Sequence, residues 1–328
     1  MSVLVVNAGS TSLKLHLVDG NESTPVDSLD VECDAVAHRV VHGGPFFREP
    51  VVVDAEVEDR IHELEVIAPL HNPPALRGIR AARQAQPSVP HVAVFDTSFH
   101  ATIPDEAATY AVPARWRDEW GVRRYGFQGL SVQWAAERVQ VSRLVVCHLG
   151  GGCSVTAVRD GRSVDTTMGF TPLEGVPMAT RSGSVDPGAL LYLLRAGRLT
   201  LDELDHTLEH ESGLLALAGT EDARRLEAGT LAVGVFAHRI ASAVAGMASA
   251  AGGLDALVFT AGIGEGSALV RAEVCSRLGF LGVELDGDLN AAAEPDCDLG
   301  KASAVRVVVV RAREEIVAAR AARSLLCS

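Results

Sequence analysis

A short apolar run, a turn of small polar residues and a second apolar run occur in that order twice in this chain, and no other feature limits its fold as much. Residues 3–6 (VLVV) lead into Asn7-Ala8-Gly9-Ser10-Thr11-Ser12, and an apolar-rich stretch resumes over 13–18. Residues 144–147 (LVVC) lead into His148-Leu149-Gly150-Gly151-Gly152-Cys153; 154–159 then reads as a strand, and Asp160-Gly161 turns the chain toward Ser163 and Val164. β-Branched runs separated by small turn residues form hairpins. One such hairpin near the start of each half fits an internal duplication. Two unrelated hairpins fit the pattern equally well.

The remaining segments alternate between helical and strand spacing, which places the chain in the α/β class. Helices are expected over 56–65, 72–84, 131–139, 187–195, 201–208 and 221–251, and a closing amphipathic helix over 314–326. Asn72 is the expected N-cap of the second helix, with Pro73 in its first turn. Strands are expected at 91–95, ending at Asp96; at 257–260, running into a Gly262-Ile263-Gly264-Glu265 loop; and at 306–310. The apolar stretch around 233–251, with Phe236 and Met247, is expected to fill a domain core or a subunit interface. No low-complexity linker separates the halves, so they are expected to pack about a cleft.

Composition narrows the function. The 328 residues, 48% hydrophobic, suffice for two cores. A formal charge of −13 argues against broad nucleic-acid binding, though a few well-placed cations can still hold a small anion. No apolar run reaches the length of a membrane span without Gly, His or Arg, and the opening MSVLVVNAGS lacks a basic leader, so neither a membrane segment nor a signal peptide is expected. Six scattered cysteines without a CxxC pair point to a reducing, cytoplasmic setting. Lysine occurs only at Lys14 and Lys301, which makes Lys14 conspicuous beside a Gly/Ser turn.

Several residue groups suit phosphate chemistry, each with a plainer reading. The first turn offers small residues, hydroxyls, the Asn7 amide and the Lys14 charge, which suit a phosphate, but ordinary hairpins look the same. No GxxxxGK[ST] pattern is present, so this is not a P-loop. Asp96 at a strand end is a candidate Mg²⁺ group, as is Glu314 after the last strand; turn and first-turn helix acids read identically. Arg39 in HRVVHGG and Arg181 in TRSG are candidate oxyanion contacts, and each could equally be a solvated surface cation. His148 could face a phosphoryl oxygen or be structural. The GIGE segment could admit a nucleotide closely, although a single GxG is a weak signal.

In order along the chain, VNAGSTSLK (6–14), HRVVHGG (38–44), APLHNPPAL (68–76), VAVFDTSFH (92–100), RRYGF (123–127), CHLGGGCSV (147–155), SVDTTMGFTPLEGVPMATRSG (163–183), VFTAGIGEGSALVR (258–271), FLGVELD (280–286) and REEIVAAR (313–320) resemble the acetate kinase family nearly end to end. The resemblance implies duplicated ribonuclease-H-like domains of the actin/hexokinase (ASKHA) type flanking a central cleft, and favours the duplication reading. It implies an N-terminal domain of 1–100 plus the helix 314–328, shortened between 15 and 38, and a C-terminal domain of 101–313 carrying the nucleotide site and a dimer interface. It also implies ATP/ADP and Mg²⁺, a small carboxylic acid or acyl phosphate as substrate, and a cytoplasmic homodimer.

Residue by residue, the resemblance makes Arg39, Asp96, Arg181, His148 and Gln128 catalytic. It gives the nucleotide and its phosphates Asn7, Ser10, Ser12, Lys14, Gly150, Gly151, Asp222, Arg224, Gly262, Gly264 and Glu265. Val41, Leu70, His71, Phe127 and Pro172 would line the acid pocket, and Asn7, Asp96 and Glu314 would serve the metal. Four departures stand out. The family's GFHGTSH reads GFQGLSV, so Gln128 and Val132 replace histidines; TNEE reads AREE, with Arg313 for Asn; GIGEN reads GIGEG, with Gly266 for Asn; and the stretch between Lys14 and Arg39 is short. The expected activity is phosphoryl transfer from ATP to a short carboxylate, with a kinase for a different acid or a catalytically weak nucleotide-binding relative as alternatives.

Overall fold

The computed structural model describes residues 1–8, 13–300 and 304–327. It divides into two compact units, one of Met1–Thr102, Thr109–Trp134 and Arg313–Ser328, the other of Ile103–Ala108 and Ala135–Ala312. Each contains one six-stranded sheet among the described residues.

In the first unit β1 (Val3–Ala8) and β2 (Leu13–Asp19) form the expected hairpin, and β3 (Glu22–Val26) extends it antiparallel. The turn between β1 and β2, with Ser10 and Ser12, lies outside the described residues. β4 (Ala35–Val40) joins β1 in parallel, β6 (His91–Phe95) joins β4 in parallel, and β5 (Val51–Val52) closes the far edge antiparallel. The order is β3-β2-β1-β4-β6-β5.

The second unit repeats this plan. β7 (Arg143–Leu149), β8 (Cys153–Arg159) and β9 (Arg162–Thr166) are antiparallel; β10 (Ala256–Thr260) joins β7 in parallel and β12 (Arg306–Val309) joins β10 in parallel. β11 (Cys297–Asp298) is the short antiparallel edge, giving β11-β12-β10-β7-β8-β9. Strand for strand this is the order of the first sheet, so the two hairpins are equivalent parts of one duplicated plan.

Parallel strands buried on both faces read as continuous apolar runs, and β1, β6 and β10 do. Leu4 and Val6 pack with Leu15, Val36 and Ala82 of the helix Asn72–Ala85. A second cluster joins Val40, Phe95, Phe47 and Ile79, with Phe47 stacked on Phe95 at 4.5 Å. The C-terminal helix Glu314–Cys327 also packs against β1 and β4. Its Arg323 donates to the carbonyls of Met1, Val18 and Gly20, and Arg320 to Asn21 Oδ1, so the helix seals the β2–β3 hairpin in the short stretch between Lys14 and Arg39.

Three expectations are corrected. The helix expected over 221–251 runs only from Leu231 to Ala251, because Gly229 turns the chain at φ 77° and the Thr230 side chain caps Val233 N–H. Of the two expectations for this stretch, Phe236 and Met247 meet the domain-core one: they are among ten buried residues of a helix that packs on β7, β8 and β9. That helix alone, among the described residues, is long and apolar enough to cross a membrane, and half of the stretch concerned is buried in the unit. Asn72 is not an N-cap: His71 holds that position, and the Asn72 amide is spent on a loop described below. The Gly262–Glu265 segment is a short helix, Ala261–Gly266, rather than a loop.

One polar pair lies deep in the first sheet. His38 Nε2 and His91 Nδ1 are 2.9 Å apart on adjacent strands, with rings stacked 11° from parallel. Burial pushes the His38 imidazole down to about 3 and that of His100 down to about 4. Both therefore bind protons more readily unfolded, near pH 6.5, than folded. Their contribution is complete above about pH 6.5 and is lost as pH falls toward the folded values, at up to about 1.4 kcal/mol per pH unit per group. Thermal melts between pH 7 and 5 should show falling Tm, with a shallower fall in His38→Gln; identical slopes would remove His38 from the effect.

Candidate active site

The parallel strands of the first unit deliver three polar side chains at their carboxyl ends. Asn7 near the end of β1 pairs in register with Arg39 on β4, and Asp96 follows β6 directly. Arg39 Nε donates to Asp96 Oδ1 at 2.9 Å and Nη2 to Oδ2 at 2.5 Å, a bidentate pair. Arg39 Nη1 donates to Asn7 Oδ1 at 3.2 Å and lies 3.4 Å from Glu314 Oε2, on the first residue of the C-terminal helix. One guanidinium thus gathers all three expected metal groups. Burial alone would push Arg39 down, but the carboxylates of Asp96 and Glu314 outweigh it and hold the cation well above its ordinary value. Asp96 is 1% exposed, and breaking such a buried pair costs about 3–5 kcal/mol.

The backbone around Asp96 is tightly constrained. Gly129 N–H donates to the Asp96 carbonyl, and a Cβ on Gly129 would lie 2.1 Å from that oxygen, so only glycine fits. Gln128 just before it is buried and left-handed, at φ 60°. Histidine is enriched in that conformation among non-glycine residues, so this backbone suits either side chain. The loop after β4 is held from the side: Asn72 Oδ1 accepts from His42 N–H, and its Nδ2 donates to the His42 carbonyl. The His42 ring lies edge-on to Tyr125 at 4.8 Å and Phe127 at 5.1 Å. This joint brings the Val41 segment, the Leu70-His71 segment and Phe127 to one place. Val41, Leu70 and His71 are partly buried and Phe127 fully. Lys14 is exposed on β2, opposite Asn7.

In the second unit the equivalent strand ends carry different chemistry. His148 on β7 is in register with Thr260 on β10. Beyond them a cavity of about 570 Å³ is lined by Gly150, Gly151, Asp222, Arg224, Gly262 and Gly266, among others. A Cβ at Gly151, Gly262 or Gly266 would meet nothing within 4 Å, so these glycines leave room for a ligand to approach the backbone. Arg224 grips Asp222 through two bonds of 2.8 Å, and that bond holds the carboxyl down at about 2. Pro172 is buried in this unit.

Gly264 and Glu265 do not line this cavity. Glu265 Oε1 accepts from Ala261 N–H at 3.0 Å and Ala312 N–H at 2.9 Å, tying the short helix to the segment after β12. Ala261 itself is left-handed, at φ 65°.

Arg181 lies 2.7 Å from Glu209, an ion pair the sequence offered no sign of. Its loop is bound by Thr180 Oγ1 to the Glu209 carbonyl and by Ser182 N–H to the Leu208 carbonyl. Gly213, at φ 62°, passes so close that a Cβ would sit 2.1 Å from the Met178 carbonyl. Another unanticipated group is Arg271, 2% exposed. It donates to the carbonyls of Gly264 and Glu265 and to the side chain and carbonyl of Asn290, all within 3.0 Å. Burial holds its guanidinium below the ordinary arginine value. The signals for Asn72, Glu209 and Arg271 are tertiary, since their partners lie 6 to 30 positions away.

A duplicated five-plus-edge sheet with polar groups at the same strand ends of both copies is an α/β fold of the ASKHA class. Its particular family follows from comparison. The model of the Acetokinase family matches residues 22–320, and the chain belongs to that family. An acetate kinase of Synechococcus sp. (strain JA-2-3B'a(2-13)) is 48% identical over 313 residues, 90% of this chain and 77% of the relative. Among solved structures, a propionate kinase from Francisella tularensis subsp. tularensis SCHU S4 matches with TM-score 0.90 at 33% identity, over 98% of each chain. Acetate kinase from Porphyromonas gingivalis matches with TM-score 0.89 at 32% identity, over 99% of each chain.

Arg271→Met should leave two helix carbonyls and Asn290 without their donor, costing about 1–3 kcal/mol for each unsatisfied group. Tm should fall, and KM for the nucleotide should rise about tenfold while KM for the acid stays unchanged, as the carbonyls belong to the segment bordering the glycine-lined cavity. Unchanged Tm and nucleotide KM would show that the clamp has no bearing on the cavity.

Proposed function

We propose that this chain transfers the γ-phosphoryl group of ATP to a short-chain carboxylate, acetate or propionate, forming an acyl phosphate and ADP, and that it runs the reverse reaction. The carrying observation is the Arg39–Asp96–Asn7–Glu314 cluster, supported by the family membership and the glycine-lined cavity. A carboxylate oxygen forms the new P–O bond while the bond between the γ-phosphorus and the β-bridging oxygen breaks, its electron pair leaving on ADP. The acid is already ionised near pH 7, so no proton need move. Catalysis then rests on positioning and on stabilising charge.

Arginine has five N–H donors, and four contacts to Asp96, Asn7 and Glu314 fix the Arg39 fork while leaving donor capacity for substrate oxygens. In this reading Asp96 positions Arg39, Glu209 does the same for Arg181, and Arg181, His148 and Gln128 neutralise the phosphoryl oxygens. Val41, Leu70, His71, Phe127 and Pro172 shape the acid pocket. Asn7, Ser10, Ser12, Lys14, Gly150 and Gly151 serve the phosphates, and Asp222, Arg224, Gly262, Gly264 and Glu265 the nucleoside, the last two by shaping its cavity from behind.

The donor set fits Mg²⁺ brought in with the nucleotide. Among the described residues no three His, Cys, Asp or Glu side chains converge as a metal cage, but Asp96 and Glu314 both lie within 3.4 Å of the Arg39 guanidinium. Mg²⁺ commonly takes one or two carboxylates plus water and phosphate. When bound, it would supply charge to the phosphates. The chain would work in the cytoplasm as a homodimer; a monomer mass by light scattering at micromolar concentration would reject the dimer.

Hydroxamate trapping with ATP and a panel of short acids tests the activity; no acyl phosphate from any of them would overturn it. Arg39→Ala and Arg181→Ala should each lower kcat/KM by at least about 10²-fold, the scale of a lost oxyanion donor. Wild-type turnover in either would remove that residue from the mechanism. At position 128 a neutral donor suffices if bond geometry matters more than charge, a difference of about 1 kcal/mol. Gln128→His should then change kcat modestly and Gln128→Ala much more, and equal rates for Gln128→Ala and wild type would exclude the side chain.

A further inference from the structure

Residues 220–229 form a partition between two cavities of the second unit. Glu221, Asp222, Ala223 and Arg224 line the glycine-bordered cavity described above. Thr220, Arg225, Leu226 and Glu227 line a separate cavity of about 450 Å³, completed by the end of the helix Gly213–Ala218 and the start of the helix Leu231–Ala251. No residue of the segment lines both. A close-packed interior gives a segment no room to shift, whereas this one has unfilled space on two sides.

The segment is tied to itself rather than to the rest of the unit. Arg224 grips Asp222, and Asp222 N–H donates to Thr220 Oγ1. Arg225 N–H donates to the Asp222 carbonyl and Leu226 N–H to the Ala223 carbonyl, while Thr230 N–H and Oγ1 donate to the Glu227 carbonyl. Among the described residues, every hydrogen bond and ion pair of residues 220–229 ends within 220–230. The one buried residue of the segment is Ala223, in a 3₁₀ turn over Ala223–Arg225 that rests on the short helix Ala261–Gly266. A single methyl group buries little area. Gly219 and Gly229 flank the partition at φ 68° and 77°, and a Cβ on either would meet nothing within 4 Å. Glycine at these two places therefore serves backbone freedom and not close packing, unlike Gly213. Segments with few outside contacts and self-contained bonds open at low cost.

We propose that residues 220–229 are a strap, hinged at Gly219 and Gly229, that closes on a nucleotide in the glycine-bordered cavity and withdraws into the 450 Å³ cavity to release it. The proposal rests on the reading of the glycine-bordered cavity as the nucleotide site. Because the bonds of the strap are internal, it moves as one piece, and no hydrogen bond to the rest of the unit has to break. The Asp222–Arg224 pair travels with it as a preformed polar edge, already oriented by its two 2.8 Å bonds. Hinge closure of this kind sequesters a ligand, and reopening then governs how fast the product leaves.

The test follows amide hydrogen exchange of the full chain with and without Mg·ADP, whose binding is established separately by calorimetry. On binding, the amides of 225–229 should become protected together with those of 221–224, although 225–227 line the other cavity. Protection confined to 221–224 would mean contact without movement and would overturn the strap. A second measurement fills the space into which the strap withdraws. Ala218 lines the 450 Å³ cavity and is exposed, so Ala218→Trp puts bulk there without disturbing a core. Release of a fluorescent ADP analogue in stopped flow should slow by at least about threefold in this variant, with Tm unchanged. Release as fast as in the wild type would overturn the proposal. Failure of Mg·ADP to bind at all in calorimetry would instead overturn the nucleotide reading, and the strap with it.

Discussion

The first unit is organised around the bidentate pair of Arg39 and Asp96. Its members end two adjacent parallel strands, a third strand supplies Asn7, and the C-terminal helix supplies Glu314. The beginning and the end of the chain are therefore joined through one guanidinium. Desolvating such charges is expensive, and the expense is met only when each lone pair and N–H finds a partner. The paired hydrogen bonds and the added Asn7 and Glu314 contacts meet that condition. They also fix the orientation of a cation that, in the proposed reaction, a carboxylate or phosphoryl substrate would meet, so the requirement for stability and the requirement for catalysis would coincide in the same bonds.

Duplication explains where the chemistry falls, and divergence explains how it is divided. Both sheets present the carboxyl ends of three adjacent parallel or hairpin strands, the places where α/β sheets expose their chain ends to ligands. In the first unit those ends carry an amide, a cation and a carboxylate, and the C-terminal helix adds a second carboxylate. In the second they open into a cavity bordered by glycines and by the Asp222–Arg224 pair. Charged groups can orient a reacting centre, whereas bare backbone can take a bulky nucleotide closely. In the proposed reaction the two copies of one topology would serve different parts.

Several residues hold the segments of the candidate site in place through contacts within the chain. Asn72 ties the loop after β4, Glu209 anchors Arg181, and Arg271 with Asn290 closes the end of the short helix 261–266. Gly129 and Gly213 permit approaches that a methyl group would block. Glu265 belongs with these supporting groups, since its carboxylate bonds two backbone N–H groups.

Most strands and the main helices were legible in the sequence, because local periodicity and turn composition act over a few residues, and the candidate site residues could be nominated because whole motifs survive as contiguous strings. The hairpins at 3–18 and 144–159 and the motifs around Arg39, Asp96 and Arg181 were readable on that basis. The residues alone left open whether the two hairpins were related, and the matching strand orders decided it, since order within a sheet is set by parallel pairings between residues 32 to 112 positions apart. It misread 221–251 as one helix, because Thr230 and Gly229 interrupt an otherwise favourable pattern. It misread Asn72 as a cap, because a buried amide gains more from two bonds to His42 than from one exposed helix end. Only the tertiary structure gave Arg39 its four contacts and Arg181 its partner Glu209, because each of these depends on side chains that meet in space from segments far apart in the chain.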